Sequence, residues 1–461
     1  MTTNSHELLA SVWSLAGLPP QSLAHAELTG AEPVLPSSFA VGTAAQLPIA
    51  AAALAACELG HARGQTRQQV RVDMQHAALE CAGWFSVDGR VPDIRDSFTG
   101  AYRCADGWVR VHANFAHHRD GALRLLGLAP EKARRADAER ALLEWRAQDF
   151  EQAAAERGLV VAAMRGFDEW DAHPQGKAIA AQPLMSFERI GDAPPLAFPR
   201  LEADERPLTG IKVLDLTRIL AGPVGGRALA AYGADVMLVN APQLPNIESI
   251  ATTSRGKLSA HVDLRSDLGL RDMNALLVGA HVFMQGYRPG ALEALGYGAQ
   301  ALAERRPGIV CISLCAYGTD GPWGARRGFD SLVQTATGFN HAEAEAAGLS
   351  SPKPLPMQIL DYATGHLMAY AASAALLRQQ NEGGSWQVKV SLAQTGHWIR
   401  SLGRVPEGFS ATLPERAPYL ETSRSGYGEL VMLRHSAQLS RTPALWTRPS
   451  VPPGTDPPVW P

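Results

Sequence analysis

The spacing of apolar positions changes character near residue 208. Before it, hydrophobic residues recur at helical or alternating intervals. Leu8, Leu9, Val12, Trp13 and Leu15 predict an amphipathic helix, ended by a loop broken at Pro33 and Pro36. Residues 44–60, AAQLPIAAAALAACELG, predict a helix from the high propensity of Ala and Leu. The polar turn HARGQTRQ leads into QVRVDM, whose alternation predicts a short strand. Residues 98–113 place aromatic and β-branched runs on either side of Asp106-Gly107, the pattern of a β-hairpin. Residues 120–165 are helical in pattern, and residues 190–208 form a linker by their Pro and charge content.

After residue 208 the apolar runs are short and continuous. IKVLDLT (211–217), VMLVN (236–240), SAHVDL (259–264), HVFMQ (281–285) and GIVCISL (308–314) read as strands. AGPVGGRALAAYGAD and Leu268–Leu277 supply helices between them. This alternation predicts a doubly wound parallel sheet of α/β class. The last fifty residues, with Pro at 443, 449, 452, 453, 457, 458 and 461, predict an extended wrapping tail. One pattern recurs. AAALAACELGHARGQTRQQVRV (51–72) is similar to AASAALLRQQNEGGSWQVKV (371–390), and the alignment sets Val41 opposite Asp361. The reading is a duplicated helix–turn–strand unit with an acid in the second copy only.

Composition narrows the function. The 461 residues exceed what one core holds, so two or more lobes are expected. A net charge of −3 without a basic run points away from nucleic acid. Cys57, Cys81, Cys104, Cys311 and Cys315 are scattered, as expected of reduced core thiols in a reducing compartment. The start MTTNSHELLASVW lacks a basic segment followed by a long apolar one, so no signal peptide is expected. The apolar run near Leu47–Cys57 is shorter than the ~18–20 residues of a membrane span. A cytoplasmic protein without membrane contact is the expectation.

Several residues carry candidate chemistry. The turn LTRILAGPVGGRALA is glycine-rich, which suits either close backbone approach to a nucleotide-type ligand or a plain tight turn. Arg288, just past a strand end, is either a phosphate ligand or a solvated surface residue, and Arg255 and Lys257 are similar candidates. Asp361 opens the alanine-rich run LMAYAASAALL, either as an N-cap or as a carboxylate kept ionised by the helix and able to attack a thioester. Asp330 reads as a helix cap. His112, His117 and His118 lack metal-ligand spacing and read as loop or surface histidines, and no metal site is expected. No Gly-x-Ser-x-Gly elbow is present.

The order of motifs is specific. VLDLTRILAGP, GADV, SRGK with VDL, GYRPGALEALG, RPGIVCISLCAYGTDGP, RRGFDSLVQTATG, LPMQILDYATG and GGSWQVKVSLAQ follow one another. Residues 208–400 thereby resemble family III CoA-transferases, the carnitine and formyl-CoA transferase group. The resemblance implies a Rossmann-like sheet with a smaller α+β domain. It assigns covalent acyl transfer to Asp361 and places Arg288, Lys257, Arg255, Leu220 and Gln334 at the CoA site. Coenzyme A then enters as an acyl-CoA substrate, with a carboxylic acid as acceptor and no permanently bound cofactor.

Residues 1–205 look like the other part of the same family subunit, with the small domain at about 95–175. They precede the Rossmann-like half (206–400) and the tail (401–461), as in a permuted chain or a truncated tandem fusion. The resemblance also implies a homodimer of the interlocked kind. Leu238-Val239-Asn240 departs from the family's charged Lys-Val-Glu, and Gln285-Gly286 from its Glu-Asn. Leu220 replaces the glutamine of formyl-CoA transferases, which argues against oxalate as acceptor. Racemases of the superfamily pair an acid with a histidine in Gly-His-Asp. Here the triplet is Gly328-Phe329-Asp330, so an isomerase is the lesser reading, beside a non-catalytic CoA-binding protein.

Overall fold

A computed structural model describes residues 5–93 and 95–461. The first four residues of the segment read for a signal peptide lie outside that range. The central feature is a seven-stranded sheet of β1 (Met185–Gly191), β2 (Lys212–Leu216), β3 (Asp235–Asn240), β4 (Leu258–His261), β5 (Val282–Gln285), β6 (Val310–Cys315) and β7 (Ser385–Ser391). The spatial order is β4-β3-β2-β5-β6-β7-β1, parallel throughout except for the antiparallel edge pair β7–β1. Chain direction across the sheet reverses between β2 and β5, which creates the crevice of a doubly wound fold. The predicted strands are all present. The continuous apolar runs arise because β2 and β3 are buried at nearly every position, on both faces, and β6 over its first half.

Two long alanine-rich helices, Val41–Ala62 and Ile359–Glu382, pack against each other at the centre of the molecule. They hold the helical parts of the two similar sequence segments, 51–72 and 371–390. Each is followed by its QVxV strand, Val70–Asp73 and β7. Small side chains let the two helices approach closely and bury nearly all their residues. The Val41 helix is long and apolar enough by composition to cross a membrane, but its apolar window lies wholly inside the protein.

The hairpin Gly100–Arg103 and Trp108–Val111 forms as predicted. The helical reading of residues 120–165 is interrupted. Helices Ala116–Leu125, Arg135–Leu142 and Ala147–Glu156 are followed by a strand, Val161–Ala163, that adds to the hairpin. This small α+β unit has its own core around Tyr102, Val109, Leu142 and Phe150.

The tail also departs from expectation. Leu420–Ser425 and Gly428–Leu433 form a hairpin paired to Phe85–Val87, and Ala437–Leu439 pairs with Val70–Asp73. Edge strands from the first hundred residues recruit it. Beyond residue 440 the chain does wrap in extended form, pinned by Trp446 Nε1 donating to Arg227 O and Trp460 Nε1 donating to Leu276 O.

Candidate active site

The turn after β2 is fixed from below. Lys257 Nζ donates to Asp215 Oδ2 and to Pro223 O, each at 2.8 Å, with both ionic side chains fully buried. Thr217 N donates to the other Asp215 oxygen at 3.1 Å. A Cβ at Gly226 would overlap Asp215 and stand 2.9 Å from Lys257 Nζ, so glycine makes room for the pair. Above the clamp, Ile219 holds φ 75, a costly conformation for a β-branched residue. That turn aims Arg218, Ile219, Leu220 and Ala221 at the crevice.

Asp361 arrives from the other side, in the first turn of helix Ile359–Glu382. Its helix lies backbone to backbone on helix Ala221–Ala231. A Cβ at Gly225 would stand 2.7 Å from Gly365 O, and one at Gly365 would overlap Ala221 O. Gly365 therefore serves this contact from inside the helix.

Nor is Asp361 an N-cap. The helix is capped from outside by Asp330, whose Oδ2 accepts from Asp361 N at 3.0 Å. Gln334 Nε2 donates to Asp330 Oδ1 at 2.5 Å, while Gln334 Oε1 accepts from Leu355 N at 3.0 Å.

Burial, and then the neighbouring Asp330, push the Asp361 carboxyl well above the usual carboxylate range. This reverses the expectation that the helix end keeps it ionised. Asp330 is itself raised to about 7 by burial, against the pull of its N–H donors and Arg110. Asp361 is 6% exposed and opens on a cavity of about 450 Å³.

That cavity lies at the carboxyl ends of β2, β5 and β6. Leu220 and Ala221 line it after β2, Tyr287 and Arg288 after β5, and Ala316 after β6. The small α+β unit supplies Phe115, His117 and His118. His118 is buried, not on the surface, and its Nε2 faces Arg327 Nη1 at 3.4 Å. His112 is buried too, stacked on Phe329 with ring centroids 4.0 Å apart. Burial lowers both imidazoles, His112 to about 4 and His118 to about 3. Among the described residues no group of three His, Cys, Asp or Glu is arranged to hold a metal.

The structure thus brings Asp361, Leu220 and Arg288 to one cavity and leaves three expected ligands outside it. Lys257 is spent on Asp215. Arg255 donates to Glu421 Oε1 at 2.5 Å and lies over Trp446, securing the tail. Gln334 supports Asp330 from behind. Residue patterns missed Arg218, Arg327 and the two cavity histidines. Arg218 stands inside the glycine-rich turn already singled out, which was the available signal. The histidines come from a lobe whose docking no local pattern encodes.

A doubly wound sheet with a buried carboxyl on a cavity at its switch point defines a small-ligand α/β protein. Residues 208–403 match the model of CoA-transferase family III, and the chain belongs to that family. It is similar to an acyl-CoA transferase of Gibberella moniliformis, 30% identical over 379 residues, covering 73% of this chain and 66% of the relative. A probable fatty acyl-CoA transferase of Mycobacterium tuberculosis is 36% identical, over 41% of this chain and 50% of its own. A human succinyl-CoA:glutarate CoA-transferase is 33% identical, over 39% and 43%. The chain spans about half to two thirds of these relatives. A crystal structure of a hypothetical protein from Mycobacterium tuberculosis aligns at 34% identity, over 42% of this chain and 58% of that one, with a TM-score of 0.39.

Proposed function

We propose that the protein is a CoA-transferase that moves CoA from an acyl-CoA to a carboxylic acid through covalent intermediates on Asp361. The observation that carries this reading is Asp361 itself: a poorly solvated carboxyl facing an arginine-rimmed cavity at the strand ends. A carboxylate stripped of water is a stronger nucleophile toward a thioester carbonyl than a hydrated one.

The steps balance as follows. An Asp361 oxygen attacks the thioester carbonyl, the C–S bond breaks, and a mixed anhydride and CoA thiolate form. The thiolate attacks the Asp361 carbonyl carbon and releases the donor carboxylate, leaving an aspartyl-CoA thioester. The acceptor carboxylate attacks that thioester, giving a second anhydride and thiolate. The thiolate then takes the acceptor acyl group and frees Asp361. Arg288, exposed at the mouth, suits a CoA phosphate.

Two features favour exchange over isomerisation. Phe329 occupies the racemase histidine position. The nearby His118 has Nε2 engaged by a guanidinium, which only donates, so that lone pair is not free as a second base. We place the enzyme in the cytoplasm as a homodimer.

The test is chemical. The protein is incubated with a panel of acyl-CoAs, trapped with hydroxylamine or borohydride, and the peptide containing Asp361 is weighed. An adduct absent from Asp361→Ala is expected. No adduct with any acyl-CoA would sink the proposal, and solvent deuterium entering the α-carbon without CoA exchange would replace it with isomerisation.

A further inference from the structure

A chain of hydrogen bonds runs from the small α+β unit to the nucleophile. Arg110, on strand Trp108–Val111, donates through Nε to Thr335 Oγ1 at 3.0 Å. The Thr335 hydroxyl lies 2.6 Å from Asn340 Oδ1 and 2.7 Å from Ser331 O. Asn340 Nδ2 donates to Gln334 Oε1 at 3.3 Å. Gln334 Nε2 donates to Asp330 Oδ1, and Asp330 Oδ2 accepts from Asp361 N. Thr335, Asn340, Gln334 and Asp330 are each at most 2% exposed, so no solvent interrupts the chain.

Its direction is fixed at both ends. A guanidinium only donates, so Thr335 Oγ1 accepts there. Gln334 Oε1 already takes Leu355 N and Asn340 Nδ2, so the amide nitrogen must face Asp330. Both Asp330 oxygens therefore accept N–H groups, an arrangement that favours its ionised form. Asp361 has no such support: burial and the Asp330 charge both act against its ionisation. Arg110 adds charge to the geometry. It is half-buried, Asp330 is the acid that faces it, and Arg95 and His112 are its other titratable neighbours. Asp330 also faces Asp361, and Tyr362 stands beside Asp361.

We propose that Arg110 is a positioning residue for the transferase: seated against helix Asp330–Ala336 by the small α+β unit, it makes Asp330 the first of the carboxyl pair to ionise and so leaves the proton of the pair on Asp361. This rests on the transferase reading and adds a residue to it that stands outside the cavity lining. The same unit carries Phe115, His117 and His118 to the cavity wall, so its seating shapes the cavity and places the proton together. The competing role for Arg110 is a docking contact with Thr335 and nothing more. It is the weaker fit, because Thr335 is linked onward to Asp330 through side chains that have no other order of donors and acceptors.

The experiment follows the Asp361 adduct by rapid quench from pH 5 to 9 in the native protein and in Arg110→Gln, which keeps a donor for Thr335 without the charge. Without the guanidinium, Asp330 holds its proton longer and opposes Asp361 less, so the rising limb is expected ~0.5 pH unit or more lower. Arg110→Lys is expected to recover most of the native profile. In an Asp330→Asn background Arg110→Gln is expected to add no shift. Three results overturn the inference: an unmoved limb in Arg110→Gln, a limb moved to higher pH, or an equal shift in the Asp330→Asn background. The first leaves Arg110 a docking contact, and the other two have it act elsewhere than through Asp330. Infrared difference spectra at pH 8, above the value of about 7 for Asp330, read the proton without turnover. The protonated-carboxyl band of the native protein is expected to vanish in Asp361→Asn and to return in Arg110→Gln/Asp361→Asn, where Asp330 has lost its cation. A band that does not return overturns the inference. If the bands behave as expected while no acyl-CoA gives an Asp361 adduct, the transferase reading falls and the placement of the proton stands.

Discussion

The backbone N–H of Asp361 donates to Asp330 Oδ2 over 3.0 Å, so one buried carboxyl caps the helix that presents the other. The contact fixes the nucleophile's position and raises its charge problem at once. Burial is the larger cause of the upward push on Asp361, and Asp330 the second. Arg110, from the small α+β unit, is the cation facing Asp330, and Tyr362 neighbours Asp361 on its own helix. Adduct formation needs the ionised form and must rise with pH along a limb above the ordinary carboxylate range.

Asp330→Asn keeps an acceptor for the Asp361 N–H but removes the like charge. Its rising limb is expected to move to lower pH while staying above that of an exposed aspartate, since the burial cause remains. Asp330→Ala, which loses the cap as well, is expected to lower kcat at every pH. Rapid-quench measurement of the Asp361 adduct from pH 5 to 9 reads both. An unmoved limb in Asp330→Asn would show that Asp330 only caps the helix.

The same pair makes stability pH-dependent. A carboxyl whose folded pKa lies above its unfolded value of about 3.9 contributes fully below that value. The contribution is lost as pH rises through the folded pKa, which for Asp330 is about 7. Asp361→Asn, with nothing to ionise at that position, is therefore expected to match the native Tm near pH 4. It should exceed it by ~2 °C or more at pH 8. A higher native Tm at pH 8 would contradict the assigned direction.

Much of this was legible in the residues, for physical reasons. Strands buried on both faces leave continuous apolar runs, so β2, β3, β5 and β6 were readable. The order of motifs located Asp361. The tail hairpin was not legible, because its strands form by pairing with Phe85–Val87, far away in sequence. Lys257, Arg255 and Gln334 stand outside the cavity lining, which no motif could show, because a motif records that a side chain matters near a site, not whether it faces ligand or supports the wall. The ionisation of Asp361 was misjudged because Asp330 lies 31 residues away along the chain.

Lys257 offers a direct check on that distinction. Lys257→Met leaves Asp215 ionic and buried at 0% exposure without its partner, which costs about 3–5 kcal/mol. A CoA ligand lost instead would weaken binding with little change in unfolding. The expected outcome is a large fall in the denaturation midpoint, with free-CoA Kd within about threefold at temperatures where the variant stays folded. Calorimetry and titration on one sample separate the two.

Gly365 tests whether the crossing of the two helices sets the site. Alanine is favoured over glycine inside a helix by about 1 kcal/mol. Here its methyl would overlap the backbone oxygen of Ala221 and press on the Val224 side chain at 2.9 Å. Overpacking of this kind costs about 1–3 kcal/mol, so the clash outweighs the propensity gain and the helices separate. Ala221 and Asp361 line the cavity from the two sides of that crossing. Gly365→Ala is therefore expected to lower Tm and to slow acylation of Asp361 by ~10-fold or more, as small misplacements do. An alanine variant with native rate and raised Tm would show that the crossing is loose and that Asp361 is held by Asp330 alone.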